Sequence, residues 1–251
     1  MRPTSAILQD LAERIRAIES SRRSPTRTLQ TSLLAPLLAG GDLPAGSLVE
    51  LLPAADGAGA WTLALLLARD ACAFRRALVI IDAQGWFYPP AASKLGIDLE
   101  HTIIVRPARR SEIRIALDQS LRCLAVGAVL AVCDQLRGVE SQRVKWAAEA
   151  GDGLGLLVHL PSPPIKGGRK GTDVRGPSFA DLRLVVAPFA SDDTLRRVRV
   201  EAVRWRGGKE GEALMLEIDD ETGHVCVPAE LASAETRAPA RRAARAAGRS
   251  G

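Results

Sequence analysis

What most constrains this chain is an alternation of strands and helices. Six short apolar runs rich in β-branched residues follow one another: Leu48–Leu52, Ala77–Asp82, Thr102–Pro107, Val126–Asp134, Gly153–Leu160 and Leu182–Pro188. Between the first five lie helical candidates at 60–74, 90–95, 111–123 and 139–150. Strands that read as unbroken apolar runs are buried on both faces, and intervening helices supply the cover, so the pattern predicts a mainly parallel sheet flanked by helices. After residue 188 the pattern becomes period two, in Arg196–Gly208 and Ala213–Val227, which predicts antiparallel strands at one edge. The expected class is α/β, with one domain over residues 46–228 and no internal repeat. Residues 1–45 read as an amphipathic helix, with Ile7, Leu8, Leu11, Ile15 and Ile18 at helical spacing, followed by a linker.

Composition narrows the function classes. The runs Trp61–Ala68 and Leu124–Val132 are the longest apolar stretches, and both fall well short of the ~20 residues that cross a bilayer. The N-terminus lacks a secretory apolar stretch, so a cytoplasmic protein with no membrane partner is expected. Cys72, Cys123, Cys133 and Cys226 have no C-x-x-C spacing, and His101, His159 and His224 form no ligand pattern, so no metal is expected. The net charge of +5 is uneven: residues 232–251 hold five arginines, Arg241, Arg242 and Arg245 among them, against one glutamate. Such a small-residue, basic segment has too little apolar area to offset its ordering entropy, so 229–251 is read as a disordered basic tail.

In open parallel sheets ligands gather at the carboxyl ends of strands. The first strand runs through "PAADGAGA" into a helix, the order in which a phosphate-binding loop is built. A working loop supplies backbone N–H groups, a lysine for the β/γ-phosphates and a hydroxyl for magnesium. Here Gly57 and Gly59 stand in place, but Ala60 occupies the lysine position and Trp61 the hydroxyl position, with Thr62 one place late. Three readings stay open at this point: a phosphate-loop scaffold without hydrolysis, a plain strand-to-helix turn, and a working site.

Other strand ends carry their own candidates. Gln84 stands where a carboxylate could activate water, and an amide cannot take that proton. Trp86, Phe87 and Tyr88 are three of only nine aromatics; they could stack a base, anchor a partner, or form a lid over the sheet edge. Asp134 ends an apolar strand as a magnesium-bearing acid would, and equally as any strand does on reaching a polar turn. The segment 161–178 carries Lys166, Arg169, Lys170 and Arg175 against Asp173, a composition suited to a nucleic-acid backbone or to a solvated loop. Arg197 and Arg199 share one strand parity while Arg204 and Arg206 share the other, which predicts two short patches. Asp219, Asp220 and Glu221 read as turn residues.

Taken in order, "LLAGGDLPAGSLVELLP", "ALVIIDAQGWFYPPAASKLGIDLEHTIIVRP" and "PSFADLRLVV" resemble the RecA superfamily. More specifically they resemble the RecA-like translesion-synthesis accessory proteins known as ImuA, related to the SulA cell-division inhibitors. The resemblance covers roughly residues 5–225 and implies a RecA-like core. It places Ala60 at the phosphate-loop lysine, Gln84 at the water-activating glutamate, Asp134 at the Walker B acid, and 161–177 at the second DNA-binding loop. Arg204 and Arg206 fall at two lysines by which RecA subunits sense a neighbour's nucleotide.

The departures imply a protein that is not an enzyme, with no cofactor. Losing lysine, hydroxyl and glutamate together removes phosphate binding, magnesium binding and water activation. The resemblance implies a role in SOS-induced mutagenesis. Its implied partners are RecA, an inactive Y-family-like polymerase subunit, an error-prone C-family polymerase and single-stranded DNA. Trp86, Phe87, Tyr88, Arg204 and Arg206 are the expected subunit or partner interface, and the loop cations the expected DNA contacts. Two rivals come from other classes: an SulA-like division inhibitor, and an unusual ATPase that borrows Arg204 or Arg206 from a neighbouring subunit.

Overall fold

The structure, a computed structural model, describes residues 28–30, 32–38, 42–72, 76–133, 136, 138–161, 178–189, 195–206, 211–219, 222 and 224–228. The expected opening helix, Asp134, the loop cations Lys166, Arg169, Lys170 and Arg175, and the arginines of the tail lie outside the described residues.

The alternation produces β3 (Leu48–Pro53), α1 (Ala60–Ala71), β4 (Ala77–Ile81), α2 (Pro89–Lys94), β5 (Thr102–Val105), α3 (Arg110–Leu121), β6 (Val126–Cys133), α4 (Val139–Gly151) and β7 (Leu154–His159). The C-terminal part supplies β8 (Leu182–Phe189), β9 (Leu195–Trp205), β10 (Ala213–Asp219) and β11 (Val225–Cys226). They form one nine-stranded sheet in the order β11-β10-β9-β8-β3-β7-β6-β4-β5. Pairing is parallel from β8 to β5 and antiparallel from β8 to β11, as the change of period predicts.

Before β3, β1 (Thr28–Gln30) and β2 (Asp42–Pro44) pair antiparallel across a 3-10 turn at Ser32–Leu34. Leu29, Leu33, Leu34, Leu37, Leu38 and Leu43 are buried in the same cluster as α1 and the sheet. The core therefore extends N-terminal of residue 46. This cover explains α1, whose Leu63, Leu65, Leu66 and Leu67 are all buried although they point around the helix. The sheet packs on the helix, and Leu29, Leu33, Leu34, Leu37, Leu38 and Leu43 complete its cover; each fully buried leucine stabilises the fold by about 1.5–3 kcal/mol.

The opposite face of the sheet is covered by α3 and α4, with Leu48, Val79, Ile81, Leu117, Leu121, Val129, Val144 and Leu157 as its core. The ends of those two helices nearly touch: a Cβ added to Gly151 would stand 1.9 Å from the Leu121 carbonyl oxygen. Arg76 closes the same corner. Its guanidinium donates to the carbonyls of Leu124 (2.8 Å), Gly151 (3.0 Å) and Asp152 (3.0 Å), satisfying acceptors that helix ends leave open.

Candidate functional site

Strand β3 has later strands on both sides, β7 and β8, so it marks the switch point of the sheet, and the crevice beyond its carboxyl end is where such sheets bind ligands. The loop that starts there carries Gly57 and Gly59 in the left-handed region, at φ +70° and +87°, a conformation glycine adopts without strain. Gly59 caps α1, and its carbonyl accepts from the Leu63 N–H at 2.9 Å. The order strand, loop, helix expected around Gly57 to Thr62 is present, with the strand ending at Pro53 and the helix starting at Ala60.

What faces the loop is not what the sequence suggests. Ala58 and Ala60 are buried, and Trp61 packs against the core that holds α1. A Cβ added to Gly57 would meet nothing, whereas one at Gly59 would stand 3.0 Å from Val198 Cγ2 and 4.0 Å from Arg196 Nη1. Arg196 also donates to Thr62 Oγ1 at 3.3 Å. The loop is thus open on its Gly57 side and closed on its Gly59 side by two β9 residues of the same chain. The cation beside it is Arg196, which the sequence reading passed over in favour of its neighbours.

Those neighbours have other tasks. The β8–β9 register shifts between Arg183 and Leu184: Leu184 pairs with Ala202 and Arg183 with Arg204, leaving Val203 as the extra residue of a bulge. The bulge returns Arg204 to the face of Arg197 and Arg199, so the expected division into two patches by parity is corrected. Arg197 pairs with Glu217 at 2.7 Å and Arg199 with Glu201 at 2.6 Å. Arg204 donates to the Ser178 carbonyl at 2.7 Å, which ties it into its own sheet, while Arg206 is exposed.

Below the crevice lies a buried polar cluster that the sequence reading missed. Glu50 of β3 forms an ion pair with Arg183 of β8 at 2.7 Å and accepts a hydrogen bond from Ser178 Oγ at 2.7 Å, with His159 Nε2 3.7 Å away. Glu50, Arg183 and His159 are all buried. Three residues beyond Ser178, Asp181 accepts from the Leu48 N–H at 2.8 Å and pairs with Lys145 of α4 at 2.6 Å. These bonds fasten the residues entering β8 to both β3 and α4. A glutamate inside "LVELL" and an arginine inside "LRLVV" were the available signal: matched charges in two otherwise apolar strands.

A second neighbourhood forms where β4 and β5 end. Asp82 is buried and accepts from the backbone N–H groups of Trp86 (2.8 Å) and Phe87 (3.2 Å), with Arg106 Nε 3.7 Å away. This carboxylate folds the loop so that the aromatic trio divides. Trp86 and Tyr88 are 58% and 65% exposed, while Phe87 is 5% exposed and belongs to the core. Phe87 is therefore not available to a partner, a correction to the expectation for the trio. Gln84 is exposed in the same loop. Two strands, β7 and β6, separate its strand from β3.

The amino edge of the sheet offers a shallow cavity lined by Arg69, Cys72, Arg76, Ile97, Asp98 and His101. Its polar groups are committed. Arg69 bonds Asp70 and the Leu95 carbonyl, and the hydrogen bond from His101 holds the Asp98 carboxyl below its usual range. Burial pushes the Cys72 thiol up to about 12, so it is not a thiolate at neutral pH. Among the described residues no group of three or more His, Cys, Asp or Glu is placed to hold a metal, and no helix is long and apolar enough to cross a membrane.

No family model matches the sequence. A curated relative, the DNA repair protein recA homolog 1, chloroplastic, of Arabidopsis thaliana, is 28% identical over 131 residues, 52% of this chain. The chain spans 29% of that relative's length. The crystal structure of the RadB recombinase superposes with a TM-score of 0.59 at 17% identity, over 74% of this chain and 93% of that one. The fold is that of RadB, and the likeness in sequence to a recA homologue is weak.

Proposed function

We propose that this chain is a non-catalytic accessory protein of DNA repair, acting in SOS-induced translesion synthesis by binding rather than by turnover. One observation carries the reading: the loop at the switch point keeps its glycines, but Ala60 and Trp61 stand where a lysine and a hydroxyl would, and Val198 and Arg196 of the same chain close its Gly59 side. These residues do not fit a magnesium–triphosphate: the loop carries alanine in place of the phosphate-binding lysine and tryptophan in place of the hydroxyl, and Gln84 cannot accept a proton from water. The name of the chloroplast relative, a DNA repair protein, and the resemblance to the ImuA proteins supply the context. In that context RecA, an inactive Y-family-like polymerase subunit and an error-prone C-family polymerase are the partners, at the nucleoid in the cytoplasm.

Two measurements test this. Millimolar ATP with magnesium is expected to leave the melting temperature of the purified protein unchanged and to yield no phosphate. A ligand present at 100 times its Kd would stabilise by about 2.7 kcal/mol, a visible shift, so a rise in Tm would overturn the reading of the loop. A pull-down is expected to retain RecA or the polymerase subunits; retention of none of them would remove the assignment to translesion synthesis. Filamentation of cells on overexpression, without DNA dependence, would favour an SulA-like inhibitor instead.

A further inference from the structure

The carboxyl corner of β4 and β5 combines two features. The first is the alternation along the loop: Trp86 outward, Phe87 into the core, Tyr88 outward, with Tyr88 extended at φ −112° and ψ 100°. In an extended segment residues i and i+2 share a side, so the two rings are presented together while Phe87 and the two hydrogen bonds to Asp82 anchor the backbone between and before them. An exposed indole and phenol held on an anchored backbone lose little conformational freedom when something stacks on them.

The second feature is charge. Arg106 follows β5 directly, Arg109 and Arg110 open α3, and all three are exposed. Arginines at a helix N-terminus oppose the helix dipole, so helix stability does not account for Arg109 and Arg110. Two nearby carboxylates accept from backbone, and one of them, Asp82, also pairs with Arg106. Asp82 is buried on the N–H groups of Trp86 and Phe87, and Glu112 accepts from those of Ala108 and Arg109 at 2.9 and 3.2 Å. The Asp82 N–H donates to the Val105 carbonyl at 2.8 Å, and Asp82 lies 3.7 Å from Arg106 Nε, so the aromatic loop and the arginine segment share one anchor point. Beside them Gly85 faces open space, which leaves room for close approach of a backbone.

Exposed aromatics that are sequence-tolerant stackers, beside arginines that neutralise phosphates, are the composition of a single-strand nucleic-acid platform. We propose that Trp86 and Tyr88 with Arg106, Arg109 and Arg110 form such a platform, binding a single strand by base stacking and phosphate contact. The proposal deepens the DNA-repair reading above and rests on it for the choice of polynucleotide. It places the strand at the β4–β5 corner rather than at segment 161–177 or the tail.

Fluorescence anisotropy of the full chain with a labelled oligothymidylate, from low to moderate salt, tests it. The double variant W86A/Y88A is expected to weaken binding at least tenfold, with W86F retaining most of the affinity. The charge variant R106E/R109E is expected to weaken binding and flatten its salt dependence. Both rings are exposed, so circular dichroism and Tm should match the parent. If the parent binds and W86A/Y88A binds equally well, the platform is refuted while DNA binding elsewhere survives. Failure of the parent to bind at low salt refutes the platform and leaves the pull-down to decide the wider reading. Loss of RecA or polymerase capture by W86A/Y88A, with oligothymidylate binding intact, also overturns the proposal, because the surface would then be a protein dock.

Discussion

Glu50 and Arg183 form a charge pair inside the sheet, and a buried pair is informative when it is broken. Removing one partner leaves the other charged and desolvated at a cost of about 3–5 kcal/mol, whereas replacing both by apolar residues of similar size is close to neutral. Glu50→Leu and Arg183→Leu are each expected to lower stability by about that amount, and the double variant to recover most of the loss, read by urea denaturation. Ser178 would lose its acceptor in both Glu50 variants, so recovery falls short of complete. At this scale the sequence was only partly legible. Ala60, Trp61 and Gln84 could be read directly from their positions in the loops. Arg196 could not: its contact with Thr62 joins residues 134 apart, and only the pairing of β9 decides which arginine of the run Arg196, Arg197, Arg199 turns toward the loop. Phe87 turns inward between the exposed Trp86 and Tyr88 in a loop held by Asp82 on the N–H groups of Trp86 and Phe87, an arrangement that no local pattern announces.

The elements themselves were legible because their signals are local. Strands β3 to β10 and helices α1 to α4 stand where apolar runs, period and turn residues place them, with ends shifted by up to three residues, as at α1, which stops at Ala71 rather than at residue 74. The bulge at Val203 was hidden, since one inserted residue changes parity without changing composition. Contacts between elements were hidden too, and the clamp at the ends of α3 and α4 is the clearest. Arg76→Ala is expected to cost about 1.5–3 kcal/mol, the range for hydrogen bonds from a charged donor, measured by thermal or urea unfolding. Gly151→Ala is expected to be worse tolerated than glycine-to-alanine in an open helix, where alanine is favoured by about 1 kcal/mol, because the new methyl group meets backbone rather than a movable side chain. If Gly151→Ala raises the melting temperature, the contact between the two helix ends is looser than described.

For the molecule as a whole, the order of the sheet matters more than any single strand. The class, a mainly parallel sheet with an antiparallel edge, followed from the change of period after residue 188, but the order of strands did not, because apolar runs do not name their neighbours. β3 shows the consequence. Its backbone pairs on one side with β7 and on the other with β8, and the Leu48 N–H bonds Asp181, a residue 133 positions later. A ribosome making this chain releases β3 long before β8 exists to flank it, so a strand apolar but for Glu50 waits with one open row of amides while more than a hundred further residues are translated. Chains halted before residue 182 should therefore accumulate as aggregates or on chaperones, a cost of the same sheet order that sets the loop at the centre of the finished molecule.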